Sequence, residues 1–252
     1  MSQGSLVFPI TVSSKGEYHK NTQYHTILFG IFYGILFIML LYNLAIYVAS
    51  KDVNYLFYVI AIIGHLLFMS AKNGHSYQYV FGENPYLGNL FLEIGIAIWI
   101  IGDVLFTKSF IESKKYTPKI DKVLSLLLVV GVLMFIFPFI VEYRTVMKVG
   151  SLVTLFTIII LLTSGIIVWI RGNTSARFFV FAWAGYAIGI ITYILNTNGL
   201  IPDNNFTFYA AEVGSVLEII LLSLALVDKF RIITSRYQIN FIGCISKFLR
   251  RF

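Results

Sequence analysis

The stretch Gly214–Phe230, GSVLEIILLSLALVDKF, decides the fold. It is long and apolar enough to cross a bilayer as a helix, whose hydrocarbon core takes roughly 20 residues. Yet it carries Glu218 near its middle and ends on Asp228 and Lys229. A central acidic residue costs about 3 kcal/mol on insertion, while each Leu, Ile or Val returns about 0.3–0.6 kcal/mol. The apolar residues between Val216 and Val227 therefore offset the carboxyl, and the segment inserts despite it. Ala211, Gly214, Ser215, Leu222 and Ala225 lie three, four or seven positions from Glu218 and share its helical face. That face is small and polar, which predicts a seam packed against neighbouring helices, with Glu218 protonated or hydrogen-bonded inside the bundle.

Similar windows recur along the 252 residues, which are 58% hydrophobic and only 12% charged. Seven spans are expected, at about 26–49, 53–72, 86–109, 122–142, 148–170, 176–197 and 207–228. Between them lie turn and charge signals such as SKDVN, SKKYTPKIDK, RGNTSAR and NTNGLIPDNN. The reading is an all-α membrane protein: residues 1–25 outside, a seven-helix domain over 26–229, and a basic tail over 230–252. Of the 19 Lys and Arg, only Lys15, Lys20, Lys72, Arg144 and Lys148 fall on one side. The rest, including Lys51, the cluster from Lys108 to Lys122, Arg171, Arg177 and the tail, fall on the other, which places the C-terminus in the cytoplasm and the N-terminus outside. Lys15 and Lys20 before the first span pull locally the other way.

Several intramembrane groups are candidates for ligand contact or signal relay, each with a plainer structural reading. Glu218 is either a switch or ligand group or an interhelical packing contact. His65 lies at comparable depth and is a partner for Glu218 or a packing histidine. Glu93 and Glu212, nearer the outer boundary, line an outward cavity or are solvated at the interface. Asp103 is expected to pair with Lys108. GIFYG (Gly30, Gly34) and GYAIG (Gly185, Gly189) have the small-xxx-small spacing of close helix packing. Interfacial belts account for most of the aromatic residues, and the loop holding His75 and Glu83 is the longest outer connection.

Other chemistries are not encoded. No lysine sits inside the last span for a retinal Schiff base, no second aspartate is deep enough for intramembrane proteolysis, and phosphate-loop, zinc-protease and serine-elbow motifs are missing. The single Cys244 gives no disulfide framework or thiolate metal site. The expectation is a non-enzyme without metal or cofactor. The net charge of +7 points to anionic lipid headgroups and not to nucleic acid, because the cations lie in short loops and the tail.

In order and spacing, GIFYGILFIMLLYNLAIY, FTKSFIESKKYTPKIDKVL, ARFFVFAW, NGLIPDN and GSVLEIILLSLALVDKF resemble the bacterial seven-transmembrane receptors with diverse intracellular signalling modules, the 7TMR-DISM family. The matching positions are Tyr42, Asn43, Arg177, Trp183, Gly199, Pro202, Gly214, Glu218, Ser223, Leu226 and Asp228. The resemblance implies an inner-membrane receptor that senses an extracytoplasmic ligand, unidentified here, and passes the signal through the seventh helix to a cytoplasmic output. Since few residues follow Lys229, a kinase or cyclase output is expected in trans; SLVFPITVSS resembles the trailing strand of an outer sensor domain. A homodimer is among the expectations. The tail NFIGCISKFLRRF repeats Phe241, Ile245, Phe248 and Phe252 at helical offsets beside basic residues, the pattern of a helix lying on the inner leaflet or of the start of a signalling linker. The alternative function is a small-solute or proton-coupled transporter running through Glu93, His65 and Glu218.

Overall fold

A computed structural model describes residues 14–82, 84–197, 199–202 and 204–249, apart from the side chains of 85, 143, 144, 197 and 232–249. Among them are helices and no strand. The long helices are α1 (Lys15–Ser50), α2 (Val53–Lys72), α3 (Pro85–Phe110), α5 (Pro118–Met134), α7 (Tyr143–Ile170), α8 (Ala176–Thr197) and α10 (Ala210–Leu249). Single turns α4 (Ser113–Tyr116), α6 (Phe137–Ile140) and α9 (Asn205–Phe208) lie in the connections.

Six of these helices are long and apolar enough to cross a membrane: α1, α2, α3, α7, α8 and α10. The expected fourth span, 122–142, is divided instead. Helix α5 has 17 residues, rising about 25 Å, and stops at Phe135 before the turn that holds Pro138. Proline cannot donate to the preceding turn, so the break falls where the backbone has least to lose.

Local chemistry explains the other ends. Ser14 accepts from the Glu17 amide and extends α1 back through polar residues expected to lie outside the first span, so 15–25 are helix; the strand-like stretch before them lies outside the described residues. Asp52 caps α2 and Asn84 caps α3, with Pro85 in the first turn. Asn204 and Thr207 form a capping box that turns the chain into α9, and Thr207 Oγ1 also donates to the Pro202 carbonyl. Gly199, at φ +70°, lets the Leu200 amide return to the Leu195 carbonyl and close α8.

Neighbour contacts run α1, α2, α3, α5, α7, α8, α10 and back to α1, with α3 also touching α7. In the spanning windows of α3 and α10, 61% of residues are buried, against 17% in α1, so the first two form the centre and α1 lies at the margin. Glycines set the closest approaches. A Cβ at Gly64 would stand 2.1 Å from the Trp99 amide nitrogen, one at Gly95 2.5 Å from that of Phe68, and one at Gly102 2.4 Å from that of Ala61. Helices α2 and α3 thus touch backbone to backbone along their length. Helices α8 and α10 do so at Gly189, where a Cβ would stand 2.4 Å from the Ala210 carbonyl oxygen. The GYAIG spacing therefore packs within the chain, whereas a Cβ added at Gly30 or Gly34 of GIFYG would meet nothing within 4 Å.

The outside is apolar, with Ile27, Phe37, Leu126, Leu133, Ile188 and Leu224 all exposed. The inside holds large aromatics: Tyr55, Tyr58, Phe106, Phe110, Phe179, Trp183 and Tyr186 are completely enclosed. Many rings that composition alone assigns to interfacial belts are thus core, stacked from Phe106 through Phe110 to Phe179, with Trp183 tilted against Phe179 and Tyr186 edge-on to Trp183.

Candidate functional site: the polar seam of α10

Helix α10 is two-faced. Ala211, Gly214, Ser215, Glu218, Leu222 and Ala225 are buried, while Val213, Leu217, Leu224 and Val227 face outward. The carboxyl of Glu218 thus lies inside the protein, in the spacing its helical offsets dictate.

Polar contacts tie α10 to its neighbours at four levels. At the end where α10 begins, Glu212 Oε1 lies 2.8 Å from Lys72 Nζ at the end of α2. Lys72 also lies 3.4 Å from Asn73 Oδ1 and 4.3 Å from the centre of the Tyr193 ring. Beside this pair Tyr33 of α1 donates to the Met69 carbonyl at 3.2 Å, and His25 hydrogen-bonds Tyr209. Two turns further on, Tyr58 donates to the Ile219 carbonyl at 2.5 Å. Glu218 is buried beside that contact, and Asp103 of α3, Tyr58 of α2 and Tyr186 of α8 are buried as well. At the third level Ser223 Oγ donates to Asn43 Oδ1 at 3.3 Å, while Asn43 Nδ2 donates to the Met39 carbonyl at 2.8 Å. At the fourth, Lys229 Nζ donates to the carbonyls of Phe110 at 2.8 Å and Ser109 at 3.2 Å, with Glu112 at 3.8 Å. These carbonyls end α3 and have no partner within that helix, so a lysine there satisfies them and complements the helix dipole.

The middle level is the least saturated. Glu218 Oε2, Asp103 Oδ2 and the Tyr186 hydroxyl are buried without a hydrogen-bond partner among the described residues. A buried polar atom left unpaired costs about 1–3 kcal/mol, so three of them together mark a place where packing has not been optimised for stability alone.

The other sequence candidates separate. Asp103 does not pair with Lys108: the lysine reaches the next helix instead, bonding Ser125 and lying 3.5 Å from Asp121, because Asp103 points into the bundle and Lys108 sits one turn nearer the boundary. His65 is buried with no hydrogen bond to Glu218; its ring is enclosed by Trp99, Phe68 and Tyr186, with centroids 5.3–6.4 Å away. Glu93 lines a small cavity of about 170 Å³ against Tyr86, Asn89 and Pro138. Glu212 lines a different and larger groove, of about 470 Å³, between α1 and α10. The two carboxyls expected to share one cavity therefore occupy two.

Of the resemblance positions, Asn43, Ser223 and Gly214 lie in the seam or its close crossing, and Trp183 and Leu226 are buried in the core. Gly199 and Pro202 shape the loop before α10. Arg177 is exposed, its guanidinium 4.7 Å from the centre of the Phe178 ring. Tyr42 is exposed and Asp228 half-buried. Tyr58, Tyr186 and Lys72, all part of the seam, carry no sequence signal beyond being polar groups on apolar helices.

A family model described as 7TM diverse intracellular signalling matches residues 25–229. No curated protein and no solved structure matches the chain.

Proposed function

The chain belongs to the 7TM diverse intracellular signalling family, and from that premise we propose that it is a receptor module whose α10 relays an extracytoplasmic signal to a cytoplasmic output. In this reading α5 and α6 cross the bilayer together as one interrupted span, α6 supplying the length α5 lacks against a core of about 30 Å. Seven crossings put the chain ends on opposite sides, and the cation-rich end, with Lys51, Lys108, Arg171 and Lys229, is cytoplasmic in a cell membrane.

One observation carries the relay. Helix α10 is bound to α1, α2 and α3 by polar contacts at successive levels, yet runs on as one helix to Leu249. Its 40 residues span about 60 Å, twice the hydrocarbon core. A ligand or outer domain that favours one arrangement of the bundle then shifts α10 as a body, and only such differential affinity can drive the change.

The test is a chimaera in which the helix is continued after Leu249 into a histidine-kinase output. Glu218→Gln, Asp103→Asn and Ser223→Ala are expected to change kinase activity about fivefold or more, the size of an ordinary coupling energy. Unchanged activity in all three would end the relay reading. A reporter fused after Phe252 should be active in the cytoplasm only, and activity on the other side would reverse the topology.

A transporter needs Glu93, His65 and Glu218 on one path. Glu93 sits in its own cavity and His65 is packed among rings, which favours the receptor. Solute uptake by the chain in proteoliposomes would favour the transporter.

A further inference from the structure

The groove between α1 and α10 has the features of a ligand site. At about 470 Å³ it falls within the usual range for small-molecule pockets. Its walls are apolar, formed by Leu28 and Phe32 of α1 and by Val213 and Val216 of α10. Val213 and Leu217 are 48% and 47% exposed on the outer surface of the bundle, so the groove is open from the bilayer side. At the level of the first turn of α10 lies one buried carboxyl, Glu212.

That carboxyl is half used. Its Oε1 takes the Lys72 ammonium, and Oε2 is buried with no partner among the described residues. The lysine is fully engaged, by Glu212, the Asn73 side chain and the Tyr193 ring. What is missing is a hydrogen-bond donor, and an anionic group would meet a carboxylate whose compensating cation is already occupied. Helix α1, the least buried of the spanning helices, can yield to an occupant more readily than the tightly crossed pairs α2 and α3 or α8 and α10.

We propose that this groove holds one acyl chain of a bilayer lipid with a primary ammonium head, the ammonium donating to the free oxygen of Glu212 while the chain lies between α1 and α10. A quaternary ammonium head has no N–H to donate and lacks that contact. Because the occupant touches α10 directly, the site would supply a membrane-derived input to the relay proposed above. The binding itself does not depend on that reading.

The experiment reconstitutes the full chain in phosphatidylcholine vesicles with a trace of phosphatidylethanolamine bearing a diazirine in one acyl chain. After irradiation the labelled peptides are mapped. The label is expected on the α1 segment around Leu28–Phe32 and the α10 segment around Val213–Leu217, about tenfold above the matched phosphatidylcholine probe, the size of one hydrogen bond to a charged group. Val213→Trp, a change at an exposed wall position, is expected to reduce labelling by both probes. Glu212→Gln, which presents an amide donor where an acceptor is needed and also weakens the Lys72 pair, is expected to abolish the preference for ethanolamine when labelling is compared at equal amounts of folded chain. Equal labelling by the two probes in the unaltered chain, or labelling indifferent to Val213→Trp, means annular lipid only and overturns the proposal. So does cross-linking of the same two segments to a second copy of the chain. Since no signal is measured, either result leaves the kinase chimaera as a separate test of the receptor reading.

Discussion

Substituting Gly64 by Ala should loosen the bundle more than its single added methyl suggests. The new Cβ would stand 2.1 Å from the Trp99 amide nitrogen and 2.5 Å from its Cα, whereas ordinary contact begins at 3.4 Å. The obstacle is backbone, with no rotamer to turn aside, so α2 and α3 must separate by about 1.3 Å, the shortfall between those distances. The same two helices meet backbone to backbone at Gly95 and Gly102, so separation at one level strains the others. Overpacking of this kind costs about 1–3 kcal/mol, and a rigid obstacle places this case near 3 kcal/mol. At about 2–4 °C per kcal/mol for a chain of this size, the midpoint of thermal unfolding in detergent should fall by about 6–12 °C. Tryptophan fluorescence is a suitable readout, since Trp99 is buried at the crossing. The controls are Gly30→Ala and Gly34→Ala, where an added Cβ meets nothing within 4 Å; their midpoints should hold or rise, because alanine is the better helix former. A Gly64→Ala midpoint equal to that of the unaltered chain, or a Gly30→Ala midpoint lowered as far, would refute the backbone-contact argument.

Lys72→Met should destabilise the chain by about 3 kcal/mol, by leaving the Glu212 carboxyl buried without its cation, and adding Glu212→Leu should restore most of the loss; thermal unfolding of single and double variants decides, and no recovery in the double would count against the pair. A double-mutant cycle of Asn43→Leu and Ser223→Ala should give a coupling of about 0.6 kcal/mol, typical of hydrogen bonds between membrane helices, and a value above about 2 kcal/mol would show that the contact is not an ordinary one. Acidification should act through His75, which lies between α2 and α3 outside the spans, its ring against Phe29 and Tyr33. Burial pushes its pKa below the usual 6.5, so below that pH the unfolded chain takes up a proton that the folded chain resists. Stability is then full above pH 6.5 and declines as pH drops beneath it, and His75→Gln should flatten the decline; equal pH profiles for the two would remove His75 as the cause.

Much of the architecture follows from apolar length. The segments 53–72 and 176–197 coincide with α2 and α8, because charged or glycine-bearing turns stop hydropathy and helix at the same place. The burial of the Glu218 face follows equally from helical offsets and residue size. Elsewhere the two signals diverge. Helix α1 begins at Lys15 because a serine cap, invisible to hydropathy, carries the helix through polar residues. The tail expected as a separate amphipathic helix begins inside α10, since nothing after Lys229 breaks the helix; its side chains past Arg231 lie outside the described residues. The fourth span has enough apolar residues but is interrupted before Pro138, a local steric effect that a hydropathy window averages away. Partner choice was the least legible. Asp103 and Lys108 are close in sequence, but the depth difference between them leaves Asp103 buried within the bundle and sends Lys108 to Asp121. Lys72 and Glu212 are far apart in the chain, and only the packing of α2, α8 and α10 brings them together.

The grip of Lys229 on the final carbonyls of α3 also sets the angular phase at which the last helix leaves the bundle. Each residue of an α-helix advances by about 100°, so one extra residue just beyond Lys229 would swing every downstream side chain through more than a quarter turn, while seven would bring them nearly back. The part of α10 beyond Lys229 thus leaves the bundle at a fixed azimuth, clocked by an ammonium against two carbonyl oxygens.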